Sequence, residues 1–364
     1  MGVLMDQSEL PSPTLIYYYK IYENVAISIT FFMVVITLAV MFLSRTRAIT
    51  RYRWYLIHEL LWSLFFDGMG SLIGAVTLFP LPCYYGVNLS STFTGTQQTV
   101  YFFIGINSLV GKAFSLIYQL EYRLVQTLPS DNTFRVLSTS LYGRKELVVR
   151  PLIMVACSVL LFTPFVLSFP DQKQQRDYLS SLDPVVAQIF IDHPSVICFA
   201  RGTEVTKVLL IAFIAVSLLP LLGVFAFWVM YRAIQRSRNS ANTYRLQMML
   251  FWSLMAQEGS VMMLMVFPGM VYLGGSIFGL RNMPTISVVC FFFFLIHTPI
   301  DCLMILYFIK PYRQFLYNHI PFLRNYTTSA YENYSTTTAV TRRKSSFYPI
   351  GKRISPMAMY PPKV

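Results

Sequence analysis

Residues 286–308 read ISVVCFFFFLIHTPIDCLMILYF, a run of apolar side chains with few polar interruptions. A helix of roughly 20 mainly apolar residues crosses the hydrocarbon core of a bilayer, so this run is long enough to span a membrane. Six similar runs precede it, at residues 24–43, 54–79, 98–120, 151–169, 208–231 and 246–273. The chain, only 12% of which is charged, therefore predicts an all-α membrane protein with a bundle of seven transmembrane helices.

The basic residues predict the orientation of this bundle, because short loops rich in Lys and Arg stay on the cytoplasmic side. The first, third and fifth loops and the C-terminal tail hold most of the 29 Lys and Arg residues, whereas the second loop holds none. We therefore expect an external N-terminus and an internal C-terminus. The net charge of +13 then reflects topology and an attraction to anionic membrane lipids. It does not indicate a nucleic-acid partner, because the chain offers no folded basic domain.

Four regions are predicted along the chain. Residues 1–23 form an extracellular N-terminus without the features of a removable signal peptide, and residues 24–308 form the bundle. Residues 309–322 form a short amphipathic helix on the inner membrane face, because apolar side chains recur there at helical spacing beside Arg313. Residues 323–364 are rich in Ser, Thr, Tyr and basic side chains and predict a disordered cytoplasmic tail.

The loops on the predicted outer side hold two cysteines and one glycosylation sequence. Cys83 and Cys198 lie in the second and fourth loops, in an environment where a disulfide persists. We expect a disulfide that ties these loops together, and the alternative is two unpaired thiols. The sequence from Asn88 to Ser90 matches the acceptor pattern for N-glycosylation, so Asn88 is a candidate acceptor.

Ionisable side chains within the apolar runs are candidate functional residues, because a bilayer tolerates them only where they face the bundle and find partners. At 1.5 Å per residue from the nearest basic loop residue, four of them lie at one depth, about 16 to 21 Å from the cytoplasmic face. They are Asp67, Lys112, Glu258 and Asp301. We expect Lys112 to pair with one or two of the carboxylates, the others being protonated or holding a small cation or polar ligand. The alternative is a static packing network. Glu59 is not counted with them, because it lies close enough to Arg53 to reach the inner interface.

The third run ends in Glu121-Tyr122-Arg123 at the predicted cytoplasmic border. An acid beside an arginine at this place suggests a switch, in which Glu121 holds Arg123 until it is released toward a partner. The alternative is an interfacial arginine that reaches lipid headgroups. Prolines inside the last three runs permit kinks that suit an outer pocket coupled to inner movement. These are Pro220, Pro268 and Pro299.

Enzyme functions find little support in the sequence. Only His58 and His297 of the four histidines lie within the apolar runs, too few for a metal site with several His ligands. The chain has no G-x-S-x-G nucleophile motif, and the last run has no lysine to carry retinal. We predict no metal and no cofactor. A membrane hydrolase using His58 and His297 remains an alternative, as does a ligand-gated channel or transporter built on the four buried charges.

Short motifs give the chain a resemblance to a known group. These motifs are Glu121-Tyr122-Arg123, Gln257-Glu258 and His297-Thr298-Pro299-Ile300-Asp301, followed by Lys310-Pro311-Tyr312-Arg313. With seven apolar runs and an external N-terminus, they resemble the nematode serpentine chemoreceptors of the Str superfamily, classes H and I most closely, over residues 24–317. The third run departs from class H, in which it ends Phe-Glu-Asn-Arg, because here only the acid and the base match.

This resemblance implies a G-protein-coupled chemosensory receptor. The expected partners are an environmental small molecule and a heterotrimeric G protein, and the expected location is the plasma membrane of sensory cilia. We expect the G protein to meet Glu121, Arg123, the loop from Arg232 to Arg245 and the helix that holds Tyr312 and Arg313. The ligand would enter from outside, among helices 3, 5, 6 and 7.

Overall fold

The computed structural model describes residues 5–44, 50–129, 131–142, 146–167, 169–199, 203–236 and 241–319. Within these ranges twelve α-helices follow one another: α1 (Pro13–Leu43), α2 (Thr50–Ile73), α3 (Gly95–Thr127), α4 (Thr133–Tyr142), α5 (Glu146–Leu167), α6 (Gln172–Leu182), α7 (Pro184–Asp192), α8 (Thr203–Arg236), α9 (Ala241–Val261), α10 (Phe267–Ile277), α11 (Met283–Phe308) and α12 (Lys310–His319). The seven predicted runs lie in α1, α2, α3, α5, α8, α9 to α10, and α11.

Six of these seven elements are long and apolar enough to cross a membrane, counting α9 to α10 as one helix within the described part of the chain. The apolar stretch of α5, Val148–Thr163, is shorter. Large apolar side chains face outward on the long helices, as on α8, where Val224 is 70% exposed and Leu221 is 66% exposed. Such a surface requires a lipid environment, which agrees with the predicted bundle of seven transmembrane helices.

The first helix begins at Pro13, earlier than the predicted residue 24. Ser12 caps it, because its hydroxyl accepts a hydrogen bond from the backbone N–H of Leu15 at 3.2 Å. Pro13 occupies the first helical position, where its missing N–H is not needed. Much of the predicted N-terminal region, residues 1–23, is therefore helical.

Three short strands are the main departure from an all-α chain. The second helix ends at Ile73. Gly74, whose φ of +56° favours glycine, joins it to β1 (Ala75–Thr77). β2 (Cys83–Gly86) pairs antiparallel with β1, and β3 (Ile197–Cys198) pairs antiparallel with β2. The apolar run 54–79 includes β1, because a strand of three residues carries no periodic signal of its own.

The sheet packs against several helices and forms a separate core with them. β1 contacts α11, and β3 contacts α3 and α6. The buried side chains of this core come from the N-terminal end of α1, the β1–β2 hairpin, α7 and α11, and they include Tyr19, Leu78, Ile189 and Val288. The sheet and α6 to α7 thus close the end of the bundle that the base-free loop predicts to face outward.

The sixth membrane helix contains a π-helical turn, Met262–Val266, between α9 and α10. Pro268 lies in the first turn of α10, so its missing N–H falls where the π turn has already shifted the hydrogen bonds. Pro220 and Pro299 lie inside α8 and α11.

The chain divides into two units, 1–313 and 314–364. The predicted tail, 323–364, lies outside the described residues, as do residues 320–322 of the predicted amphipathic helix.

Candidate functional site

The ionisable residues of the membrane helices are buried in the bundle. Asp67, Lys112 and Asp301 are at most 1% exposed, and Glu258 is 8% exposed. Glu59 is 1% exposed and His297 is fully buried, so both belong with them. We call these residues the charged layer: Glu59, Asp67, Lys112, Glu258, His297 and Asp301.

Lys112 of α3 contacts two polar side chains of α2. Its Nζ donates a hydrogen bond to the Ser63 hydroxyl at 2.8 Å and lies 4.0 Å from Oε1 of Glu59. The Ser63 hydroxyl donates in turn to the same Glu59 oxygen at 2.8 Å. The ion-pair partner of Lys112 is therefore Glu59, and within the described residues no ion pair joins Lys112 to Asp67, Glu258 or Asp301. That part of the sequence prediction was wrong.

The exclusion of Glu59 failed for a geometric reason. Arg53 does not turn toward it, because its Nη1 donates to the carbonyl of Met41 at 3.1 Å. Depth along the helix axis predicts Glu59 near the inner interface, whereas its direction around the axis places it inside the bundle. Glu59, Ser63 and Asp67 recur every four residues, which places them on one face of α2. This spacing is the signal that could have identified both Glu59 and Ser63.

His297 lies between two carboxylates of the charged layer. Its Nδ1 is 3.8 Å from Oδ1 of Asp67, and its Nε2 is 3.7 Å from Oδ2 of Asp301. The carbonyl of Phe294, 2.7 Å from Nδ1, only accepts, so Nδ1 carries a hydrogen and donates it. The hydroxyl of Thr298 lies 3.1 Å from Nε2. His297 thus joins the second and seventh membrane helices.

Each of the two aspartates, Asp67 and Asp301, also accepts a hydrogen bond from a hydroxyl group. Thr30 of α1 donates to Oδ2 of Asp67 at 3.4 Å, and Ser260 of α9 donates to Oδ1 of Asp301 at 2.5 Å. One oxygen of each acid of the charged layer has no hydrogen-bond partner among the described residues: Oε2 of Glu59, Oδ1 of Asp67, Oε1 of Glu258 and Oδ2 of Asp301. An excess of buried carboxyl groups over basic groups requires protons or a bound cation for balance.

A series of polar contacts leads from the charged layer to the predicted cytoplasmic end. The hydroxyl of Ser260 shares its single hydrogen between Oδ1 of Asp301, at 2.5 Å, and the carbonyl oxygen of Gln257, at 2.8 Å. Nε2 of Gln119 lies 3.4 Å from Oε1 of Gln257 and donates to the hydroxyl of Tyr52 at 2.8 Å. The ring of Tyr52 stacks under Arg123, whose Cζ is 3.3 Å from the ring centroid. We call this series the polar path: Asp301, Ser260, Gln257, Gln119, Tyr52 and Arg123.

Glu121 does not hold Arg123. Its Oε2 accepts from Nη1 of Arg150 at 3.1 Å, and its Oε1 accepts from the hydroxyl of Ser138 at 2.9 Å. Residues two apart on a helix point in nearly opposite directions, which makes the expected contact within Glu121-Tyr122-Arg123 unfavourable. Glu121 instead joins α3 to α4 and α5.

Arg123 is buried, with 7% of its surface exposed. Its Nη1 donates to Oε1 of Gln126 at 3.4 Å, while Nε and Nη2 have no hydrogen-bond partner among the described residues. Arg313, the other arginine of the predicted coupling face, donates to the carbonyl of Tyr307 at 3.2 Å. The structure therefore holds the two arginines in separate places, against Tyr52 and Tyr307.

On the outer side a disulfide joins Cys83 and Cys198, which face each other in the register of β2 and β3. Gln172 of α6 completes the edge of β3, because it accepts from the N–H of Cys198 at 2.8 Å and donates to its carbonyl at 2.9 Å. His193 stacks on the ring of Tyr85 with centroids 4.0 Å apart. Burial raises the pKa of Tyr85 to about 12.

Asn88 does not fit its expected role as a glycan acceptor. Its side-chain nitrogen, the atom that a glycan would occupy, donates to the buried carboxylate of Glu23 and to the carbonyl of Ser71. Gly74 leaves room for this contact, since a Cβ there would lie 2.8 Å from Oε2 of Glu23. Asn88 thus fastens the outer hairpin to α1, a tertiary role that a three-residue motif does not reveal.

His58 and His297, the two residues of the hydrolase alternative, contact different groups. Nε2 of His58 accepts from the indole N–H of Trp62 at 3.1 Å, whereas His297 contacts the aspartates of the charged layer. Among the described residues, no group of three or more His, Cys, Asp or Glu side chains is arranged to hold a metal ion.

Seven membrane helices, an outer sheet closed by a disulfide and a buried charged layer define a receptor-like bundle, and a solved structure has the same fold. The crystal structure of squid rhodopsin superimposes with a TM-score of 0.56 at 13% sequence identity, over 86% of this chain and 87% of that chain. At this identity the likeness concerns the fold alone. A search of curated proteins finds no match.

The family model of the serpentine type seven-transmembrane G-protein-coupled chemoreceptors, Srh, matches residues 16–322. Because this match covers most of the chain, the protein belongs to the Srh family. The resemblance drawn from the sequence motifs is thereby confirmed for class H. The protein is a multi-pass membrane protein of a chemoreceptor family, and receptors of this family are not enzymes.

Proposed function

We propose that the protein binds an environmental small molecule from outside and activates a heterotrimeric G protein, and that it does so in the plasma membrane of sensory cilia. Family membership supports the general class, and the polar path supports the mechanism. The ligand would bind among α3, α8, α9 to α10 and α11, above the charged layer. Its binding would change the contacts of Asp301 and Ser260, and the polar path would carry that change to Arg123.

The state of Arg123 is the observation that carries this mechanism. A buried guanidinium with two unpartnered nitrogens is destabilising, because the bond to Gln126 and the stack on Tyr52 replace only part of the lost hydration. An alternative arrangement in which Arg123 meets a partner on the cytoplasmic side would relieve that cost. Two arrangements of similar free energy are what a ligand needs in order to shift a population.

The stacking of Arg123 on Tyr52 would then define the resting arrangement. The hydroxyl of Tyr52 accepts from Gln119, and Gln119 in turn reaches Gln257 of the sixth membrane helix. A movement of that helix would therefore change the support of the Tyr52 ring. The π turn Met262–Val266 and Pro268 offer a place where the helix bends easily.

The test is guanine-nucleotide exchange on a heterotrimeric G protein by the full chain in lipid nanodiscs, with and without odorants selected in a calcium-reporter screen. We expect ligand-dependent exchange that is lost in Arg123→Ala although the variant reaches the cell surface. Arg281→Ala is the matched control, because Arg281 is 89% exposed and paired only loosely with Glu9 at 3.9 Å. Ionic current without nucleotide exchange would favour the channel alternative and contradict the proposal.

A further inference from the structure

A cavity of about 650 Å³ opens at the predicted cytoplasmic end, between the end of α3, the start of α4, and the adjoining parts of α8 and α9. Twelve of the described residues line it, and none of the twelve is Asp or Glu. Three of them are Arg135, Arg232 and Arg236, and we call this space the arginine cavity. Its size lies within the usual range for small-ligand sites.

Arg135 is positioned by the backbone around the cavity. Its Nη1 donates to the carbonyl of Leu128 at 2.6 Å, and this bond uses one of the five donors of the guanidinium. Asn132 caps the N-terminus of α4, because its side-chain oxygen accepts from the N–H groups of Phe134 and Arg135 at 3.0 and 3.4 Å. The positive end of the α4 dipole therefore adds to the charge of Arg135.

The other two arginines lie one turn apart on α8, so they share one face of that helix. The Cζ of Arg232 is 5.4 Å from the ring centroid of Trp228, and Trp228 is 55% exposed. An exposed Trp followed by Arg at the end of a membrane helix is typical of the boundary between hydrocarbon and headgroups. The arginine cavity thus opens at the level of the inner lipid headgroups.

No nearby acid neutralises this cluster in the described part of the chain. Glu121, the closest acid of α3 in sequence, is bound to Arg150 and Ser138. Asp131 precedes the N-cap of α4 but is exposed and does not line the cavity. Three cations around a half-open cavity without a counter-charge call for an anionic ligand.

We propose that the arginine cavity binds the phosphorylated headgroup of an anionic lipid of the cytoplasmic leaflet, of the phosphoinositide type. Guanidinium groups match the oxygens of phosphate monoesters in paired hydrogen bonds, and three of them fit a headgroup with several phosphates better than a single carboxylate. Trp228 beside the opening favours a lipid-attached phosphate over one free in the cytoplasm. The bound headgroup joins α4 to α8, next to Gln126, which also contacts Arg123.

The test measures binding of a short-chain phosphatidylinositol bisphosphate to the purified full chain in phosphatidylcholine nanodiscs. We expect Arg135→Gln, Arg232→Gln and Arg236→Gln each to weaken binding about fivefold, as for the loss of one basic residue near a lipid surface. Arg135→Lys retains more of the affinity than Arg135→Gln. Arg245→Gln is the matched control, because Arg245 is exposed on the same side and does not line the cavity.

Three parallel titrations identify the source of the phosphate: inorganic phosphate, inositol trisphosphate and phosphatidylserine. Stronger binding of the phosphatidylinositol bisphosphate than of all three supports the proposal. Equal binding of inositol trisphosphate overturns the lipid assignment. Unchanged affinity in all three arginine variants, or an equal loss in Arg245→Gln, overturns the site. Thermal unfolding of each variant excludes misfolding as the cause of weaker binding.

This inference does not depend on the proposed signalling function. Lipid binding is measured without a G protein, so it holds or fails independently of nucleotide exchange. A chain that binds the headgroup but catalyses no exchange would contradict the proposed function alone.

Discussion

Polar side chains in the outer and inner halves of the bundle differ in how completely they are hydrogen-bonded. Around the outer sheet, Asn88, Ser90 and Gln172 all donate to backbone carbonyls, and a disulfide closes the assembly. In the inner half, the acids of the charged layer and the guanidinium of Arg123 keep atoms without partners among the described residues. Thr77 and Gln98 are outer exceptions. The comparison indicates a fixed outer frame and an inner region with more than one favourable arrangement.

The largest expected effect tests the outer frame. Cys83→Ser opens a disulfide whose cysteines are 115 residues apart, and long closed loops give large entropic stabilisation. We expect the free energy of unfolding to fall by about 5 kcal/mol, as for a closed loop of about 100 residues. Thermal unfolding of the purified protein and its amount at the cell surface measure the change. Cys157→Ser is the control, because Cys157 is a free, partly exposed cysteine.

The second prediction concerns the charged layer. Lys112→Met leaves Glu59 buried without its cationic partner, which typically costs about 3 to 5 kcal/mol of stability. Replacing the carboxylate as well, in Lys112→Met with Glu59→Gln, should recover much of this loss. Thermal unfolding of the two variants checks the recovery.

The control for that rescue uses Glu258, an acid that the sequence predicts at the same depth as Lys112. Lys112→Met with Glu258→Gln should not recover the loss, because no ion pair between these residues is seen in the described part of the chain. Rescue by Glu258→Gln and not by Glu59→Gln would show that the geometry around Ser63 is wrong.

A smaller effect is expected at the resting contact of Arg123. Tyr52→Phe removes the hydroxyl that accepts from Gln119 but keeps the ring on which Arg123 stacks. A neutral hydrogen bond contributes about 1 kcal/mol, so basal nucleotide exchange should rise about fivefold. Tyr18→Phe, on an outward-facing residue near the start of α1, is the control. Unchanged basal exchange in Tyr52→Phe would show that the Tyr52 hydroxyl does not stabilise the resting arrangement.

The smallest effect is a pH dependence of the outer frame. Burial lowers the pKa of His193 from its usual value near 6.5, Lys20 lowers it further, and Asp192 opposes this shift. The folded state therefore takes up a proton less readily than the unfolded chain. Stability is complete above pH 6.5 and falls as the pH drops below it. Thermal unfolding at pH 7.5 and 5.5 should show this loss, and His193→Gln should reduce the difference.

The membrane helices could be located from the sequence, because each contributes about twenty apolar residues and single polar residues do not hide so long a run. Directions around the helices were harder to derive. Glu59 was omitted because its depth suggested the interface, although its four-residue spacing from Ser63 and Asp67 indicated the bundle. Glu121 was assigned to Arg123 by proximity along the chain, although helical geometry points the two apart.

Apart from the disulfide between Cys83 and Cys198, contacts between distant segments could not be predicted. Asn88 meets Glu23 only because the β1–β2 hairpin folds back onto α1, and the hairpin itself follows a glycine within an apolar run. His297 was considered as a metal ligand, whereas its neighbours Asp67 and Asp301 make it a link between helices. Such roles depend on which helix faces meet, and a single sequence does not contain that information.

The most direct test of the account is a double-mutant cycle across the polar path, measured as basal guanine-nucleotide exchange in nanodiscs. Ser260→Ala removes the donor to Asp301, and Tyr52→Phe removes the acceptor of Gln119. If the path couples the charged layer to Arg123, the effect of the double variant should differ from the sum of the single effects by at least about 0.5 kcal/mol. Effects that simply add would contradict the coupling.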